Sequence, residues 1–255
     1  MLVCAAAPGS MFEANKFPDR DQAKIHAIID ELSKVRTSRF ILISSIAVLE
    51  DFAGGDDEGT TAFKEELAYG RHRRALEAFV EETFEDSLVV RLPALFGRGL
   101  RKNFIFDMLN PIPTMLTEAK LEGLSTVLVR RLFDQLSGLY APDAATGMLK
   151  LDRVALDADP MRASLDEAAV THGFAATQFH NPETTYQYYN MNRLWSDINV
   201  ALQAGLSHIH LVSEPLKAAR IHRRLTGRDM PESGARLHRE DMRTRHAELW
   251  GKQGP

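Results

Sequence analysis

One cysteine stands in 255 residues, so no internal disulfide can form and no repeated C-x-x-C spacing offers a structural zinc site. An intracellular, reducing compartment is the expectation that follows. Long apolar runs are also missing. The opening stretch from Met1 is apolar only as far as Ala7, well short of the ~20 residues that span a bilayer, and it lacks the basic region of a secretory signal. Neither sign of charge dominates: 31 Lys and Arg against 35 Asp and Glu give a formal net charge of −4. No overall positive field recommends nucleic acid or an anionic membrane as partner. The sequence carries no internal repeat, and the protein is read as cytoplasmic, without a membrane anchor.

What is present suits one sizeable core, or a core with a small lobe attached: 44% of residues are hydrophobic and 26% charged, the balance of a compact soluble chain. Leu2 to Ala7, closed by Pro8 and Gly9, reads as a buried strand ending at a turn. From Asp21 to Val35, Ile25, Ile28, Ile29, Leu32 and Val35 recur at helical spacing. Phe40 to Ser44 reads as a second buried strand. A loop rich in Gly and Asp (51–61) precedes a helix over 64–83, and Ser87 to Leu92 is a third strand. Strands alternating with helices of this length imply parallel β-α-β units, because a parallel neighbour is reached only by a crossover.

Beyond Gly97 the alternation weakens through a basic, proline-containing stretch to Gly147. A helix over 190–203, a strand over 208–212 and a helix over 215–225 follow. From about Arg236 the chain is dominated by Arg, His and Glu, which predicts a solvated helix or frayed tail. His208 and His210 share one side of a strand and could suit a metal, but no third ligand is in evidence, so packing or exposure is the stronger reading. Tyr186, Tyr188 and Tyr189 are read either as lining a pocket or as core, and Cys4 as a buried, inert thiol.

The sharpest constellation is Ser44-Ser45 at the end of a strand, followed 24 residues after Ser45 by Tyr69, with Arg73 one helical turn further on. Ligands of open α/β sheets bind outside the carboxyl ends of the strands. Residues i and i+4 share a helix face, and an adjacent cation favours the charged form of a phenol.

At these residues the chain resembles the extended short-chain dehydrogenases/reductases, the NAD-dependent epimerase/dehydratase family. In that family a strand ending in Ser-x-x-Val leads to a Tyr-x-x-x-Lys helix, and the next strand ends in Arg-x-Pro before a Tyr-Gly or Phe-Gly turn. The matching pieces here are Ser45 to Val48, Tyr69 to Arg73, and Arg91, Pro93, Phe96 and Gly97. Ala5, Ala6 and Ala7 resemble the strand that passes beside the cofactor. Gln187, Tyr188, Trp195 and Asp197 fall in a stretch that resembles the substrate lobe.

The resemblance implies an α/β fold: an incomplete Rossmann-like parallel sheet flanked by helices, with a smaller C-terminal substrate lobe. Residues 1–147 would form the partial dinucleotide-binding domain with the catalytic residues. Residues 148–235 would form the substrate lobe, interleaved with the first, and residues 236–255 a charged tail. It implies NAD or NADP as cofactor, held by Ala5, Ala6, Ala7, Tyr69, Arg73, Pro93, Ala94 and Leu95. Tyr69 would be the acid/base acting on a hydroxyl or keto group, Ser45 a donor to the same oxygen, and Arg73 the cation. The implied partners are a small-molecule substrate, a nucleotide sugar among the candidates, and a second copy of the chain in a homodimer.

Three departures set limits on that reading. Position 73 is Arg where the family has Lys, and guanidinium is wider and does not release a proton. A helix position near Lys24, where relatives carry Asn, holds a cation. The family's Gly-x-x-Gly-x-x-Gly turn, which cradles pyrophosphate, is absent. A misassigned start codon, a truncated gene product, or a non-catalytic relative that senses a dinucleotide or binds a protein are the alternatives this leaves.

Overall fold

A computed structural model describes residues 1–251. The chain divides into two compact units, residues 1–99 with 185–216 and 239–255, and residues 100–184 with 217–238. The sequence-based divide lay near residue 147; the observed one follows Gly99.

The first unit is built on a parallel sheet. Its elements begin with β1 (Leu2–Cys4), α1 (Met11–Lys16), α2 (Pro18–Leu32), β2 (Phe40–Ser45), a single 3-10 turn (Ile46–Val48), α3 (Ala68–Thr83), β3 (Ser87–Leu92) and β4 (Ala94–Phe96). The second unit carries α4 (Phe104–Leu109), β5 (Met115–Leu116), α5 (Glu118–Leu124), α6 (Arg130–Gly138), β6 (Tyr140–Asp143), β7 (Met148–Leu151), α7 (Arg153–Ala158) and α8 (Arg162–Thr171). The chain then returns to the first unit with β8 (Thr185–Tyr186), β9 (Tyr188–Asn190), α9 (Leu194–Gln203) and β10 (His208–His210), and α10 (Ala218–Thr226) belongs to the second.

The sheet order is β1-β2-β3-β10, with every pairing parallel. Period-two alternation assigns the faces. Phe40 and Leu42 of β2 and Val89 of β3 face α2 and α3, meeting Ile25, Leu32, Leu76 and Val80. Ile41, Leu88 and Val90 face the other way, against Ile198 and Ala201 of α9. A sheet covered on both faces needs apolar residues at nearly every position, which is why β2 and β3 read as continuous apolar runs. Among the described residues β1 pairs on one side only and lies at the sheet edge, where Val3 is 44% exposed.

The strand over 87–92 matches its expected limits, and several other elements shift. β1 stops at Cys4 rather than Ala7, because the chain leaves the ladder and Pro8 turns its carbonyl toward Arg73. α2 starts at Pro18, where a residue without an N–H suits the first helical position, with Asp19 and Asp21 favourable in the first turn. α3 begins at Ala68 rather than 64, since the Lys64 N–H donates to the Val48 carbonyl and Leu49 bridges Phe63. α9 begins at Leu194 after a 3-10 turn, β10 ends at His210, and α10 starts at Ala218.

The stretch after Gly97 holds more structure than its weak alternation indicates. The three-stranded sheet β5-β7-β6 is antiparallel. Leu116, Leu136, Leu151, Leu156 and Leu165 share its core. Its strands of two to four residues are too short to register as a period-two pattern. The C-terminal expectation is also corrected. Residues from Arg239 belong to the first unit, and Met242 is 1% exposed, since its backbone finds partners in Gln187. The remainder of that predicted tail, 252–255, lies outside the described residues.

A buried ion pair ties α3 to the sheet. Arg91 of β3 lies 2.8 Å (Nη2) and 3.1 Å (Nε) from the two oxygens of the Glu77 carboxylate, and Ser44 donates its hydroxyl to the same carboxylate at 2.5 Å. Both charges are almost fully enclosed. Removing one partner strands the other in a low-dielectric interior. Arg91→Met should therefore lower unfolding free energy by about 3–5 kcal/mol, and Glu77→Leu with Arg91→Met by much less. Urea unfolding of the three proteins checks this; equal losses in single and double variants would contradict it.

Candidate active site

The end of β2 and the start of α3 are brought together by one glycine. A Cβ at Gly70 would collide with the Ala47 carbonyl oxygen, so only glycine lets the first turn of α3 approach the 3-10 turn this closely. Tyr69 packs on Ala47 and Ala14 and is 9% exposed. Ser45, two residues before Ala47, caps the turn by accepting the Ala47 N–H on Oγ at 3.2 Å. The hydroxyl oxygen is thus an acceptor within the fold, and its proton remains to be donated. Ser45 and Tyr69 both meet Ala47 at the carboxyl end of β2, and Arg73 lies against the Tyr69 ring.

The Arg73 guanidinium lies 4.0 Å from the centre of the Tyr69 ring, a cation–π arrangement. Nη2 donates to Asp21 Oδ1 at 2.9 Å and to the Pro8 carbonyl, and Nη1 donates to Asp21 Oδ2 and, at 3.4 Å, to the Tyr69 carbonyl. The arginine is 3% exposed. His72 Nδ1 lies 2.8 Å from the same Asp21 carboxylate. Burial pushes the Asp21 carboxyl upward, but hydrogen bonds from Arg73 and His72 and their charges outweigh it, leaving the group below its ordinary 3.8.

Two contributors escaped the sequence reading. Asn15 accepts the Tyr69 N–H on Oδ1 at 3.0 Å and so anchors the first turn of α3. Asp21 was read only as the start of a helix. The usable signal was Pro18 followed by Asp19 and Asp21, which marks a helix N-terminus with carboxylates in its first turn.

Ala5 and Ala6 follow β1 and are exposed, and Ala7 is partly so. Pro93 is buried at the end of β3, and Ala94 and Leu95 pair with Tyr188 and Tyr189 through β4 and β9. A nicotinamide dinucleotide fits these residues only in part: the side chains after β1 are small and exposed, whereas Arg73 has its terminal nitrogens turned to Asp21, Pro8 and Tyr69 rather than outward.

Among the described residues, no group of three or more His, Cys, Asp or Glu is placed to hold a metal. His208 contacts Glu81 at 3.0 Å, and His210 contacts the Arg243 carbonyl at 3.0 Å, so both belong to packing networks. Tyr189 donates to Asp197 at 2.7 Å inside the core; burial and that carboxylate push its phenol well up. Cys4 is buried and free. No helix among the described residues is long and apolar enough to cross a membrane.

No family model matches this sequence, and no curated protein matches it. Solved structures do. A UDP-N-acetylglucosamine 4-epimerase from Methanobrevibacter ruminantium M1, in complex with UDP-N-acetylmuramic acid, aligns over 99% of this chain and 70% of its own, at 11% identity and TM-score 0.57. The dTDP-4-dehydrorhamnose reductase of Bacillus anthracis, in complex with NADP, aligns over 98% and 73%, at 14% identity and TM-score 0.58. MoeE5, in complex with UDP-glucose and NAD, aligns over 96% and 70%, at 14% identity and TM-score 0.53. At these identities the likeness establishes the fold: the chain has the Rossmann-like α/β architecture of these solved structures.

The depressed Asp21 pKa sets a pH window. Its ionised form is favoured more in the folded than in the unfolded chain, so the stability it contributes is present above about 3.8 and lost as pH falls through the folded value. Asp21→Asn leaves Arg73 buried without its counter-charge and should cost about 3–5 kcal/mol at pH 7. The gap from wild type should narrow at pH 3. Urea unfolding at the two pH values measures it, and a gap independent of pH would refute the ion pair.

Proposed function

From the shared fold and the position of Tyr69 beside the end of β2, we propose that the chain is an NAD(P)-dependent oxidoreductase or epimerase acting on a hydroxyl or keto group, most directly that of a nucleotide sugar. The observation that supports the reading is the close approach at Gly70, which packs Tyr69 against the Ala47 turn capped by Ser45, with Arg73 on its ring, at the end of the strand where open α/β sheets take their ligands. The nucleotide-sugar class is supported by the neighbours, which were solved with UDP-N-acetylmuramic acid and UDP-glucose.

In this reading Tyr69 passes a proton to or from the substrate oxygen, and Ser45 donates a hydrogen bond to the same oxygen. Ala5, Ala6 and Ala7 wall one side of the dinucleotide, and Pro93, Ala94 and Leu95 the other. NAD or NADP, when bound, supplies the hydride chemistry. Arg73 acts from behind the ring: it fixes the orientation of Tyr69 through the cation–π contact and through Asp21.

The geometry of Arg73 also favours a second reading, a non-catalytic relative that binds a dinucleotide or a protein. With the terminal nitrogens directed at Asp21, Pro8 and Tyr69, the cation is not presented to a ribose.

Calorimetric titration with NAD and NADP, followed by turnover assays on UDP-glucose, separates the two. Turnover that falls about 10²–10⁴-fold in Tyr69→Phe, with unchanged circular dichroism, supports the enzyme. Undiminished turnover in that variant would remove Tyr69 from the chemistry. Dinucleotide binding without turnover assigns the chain to the second reading, and no binding contradicts the dinucleotide in both.

A further inference from the structure

Residues 239–250 run back across the first unit with no helix or strand until a final 3-10 turn at Ala247–Trp250. Their backbone is nonetheless well partnered. Gln187 brackets Met242, donating from Nε2 to its carbonyl and accepting its N–H, each at 2.7 Å. The Asp241 N–H donates to the Phe52 carbonyl at 2.6 Å and the Arg243 N–H to the Asp56 carbonyl at 2.8 Å. Glu58 is the hub: its carboxylate accepts the His210 N–H at 2.8 Å, the Thr244 hydroxyl at 2.6 Å and the Arg245 N–H at 2.9 Å.

His210 completes the hub in one tautomer. Nδ1 must donate to the Arg243 carbonyl, which leaves Nε2, 3.3 Å from Arg91 Nη1, as the acceptor. Burial lowers its pKa, with Glu58 opposing and Arg91 adding to the effect.

These contacts converge on the loop 49–63, which makes up most of the connection between the turn after Ser45 and α3. That loop carries Glu50, Asp51, Asp56, Asp57 and Glu58, and no Lys or Arg. The returning segment brings Arg243 and Arg245 to it. Arg245 pairs with Asp57 at 2.9 Å and lies where a Cβ on Gly59 would stand. Met242 joins Ile46, Val48 and Leu49 in one cluster, with Val212 packed against it. The segment therefore covers the sheet where β2 and β10 end, the end at which such sheets bind ligands.

We propose that residues 239–250 form a strap that docks on the 49–63 loop as one cooperative unit and releases without unfolding the sheet, thereby opening the carboxyl ends of β2 and β10. The strap is held by individual hydrogen bonds, the partly exposed Arg245–Asp57 ion pair and one buried methionine, whereas β2 and β3 are buried on both faces. Local stability differs accordingly. Strap and loop stand or fall together because Glu58, Asp56 and Phe52 belong to one and Thr244, Arg243 and Asp241 to the other.

Trp250 reports on the docked state, since its indole N–H donates to Asp197 at 2.9 Å. The chain has two tryptophans, so full-length Trp195→Phe leaves Trp250 as the single tryptophan, excited selectively beyond the absorption of tyrosine. In a urea series at pH 7, Trp250 emission should shift red, and amide exchange in 49–63 and 239–250 should rise together, before far-ultraviolet circular dichroism is lost. In the absence of urea, Glu58→Ala and, separately, Gln187→Ala should each speed exchange about tenfold or more in both segments, with β2 and β3 amides unchanged. Coincident loss of all signals would overturn the strap. So would exchange that rises in 239–250 alone, or that rises equally in β2 and β3.

Discussion

Two buried ion pairs on a single helix position the rest of the first unit. Arg73 on α3 reaches Asp21 on α2, and Glu77, one turn further on, reaches Arg91 on β3. Isolated charges at these depths would be strongly unfavourable, so each is tolerated only with its partner in place. The pairs thus act as a positional constraint more than as a source of net stability: α3 has one arrangement that satisfies all four charges. Gly70 then permits the final approach to the turn after β2.

That constraint determines what the candidate site offers. The same contacts that hold α3 keep the Arg73 guanidinium behind the Tyr69 ring and facing inward. Its terminal nitrogens are turned to Asp21, Pro8 and the Tyr69 carbonyl, so in the proposed function the cation orients Tyr69 and does not contact a ribose. Arg–carboxylate geometry is well matched in a way that a lysine would not be, so the arginine at position 73 and the carboxylate of Asp21 form one feature.

The parallel core was legible because sheets covered on both faces write long apolar runs, as at Phe40 to Ile43 and Leu88 to Val90. The order of Ser45, Tyr69, Arg73, Arg91 and Pro93 was equally visible, since Ser45, Arg91 and Pro93 lie at or beside the ends of those strands and Tyr69 and Arg73 share a face of the helix between them. What was hidden depends on contacts distant in sequence. Nothing local marks Asn15 as a partner of Tyr69, 54 residues away, or Glu58 as a partner of Arg245, 187 residues away. The C-terminal segment looked like a solvated tail because its order comes from side chains elsewhere in the unit, and the second unit's short antiparallel strands carry no readable period.

A double-mutant cycle in urea unfolding on Asp21→Asn and Arg73→Met tests the central constraint most directly. If Arg73 is held by Asp21 inside the fold, the two losses will be strongly non-additive, with a coupling of about 2 kcal/mol or more. Losses that add to within about 0.5 kcal/mol would mean that Arg73 points elsewhere, and the account of the Tyr69 site given above would be wrong.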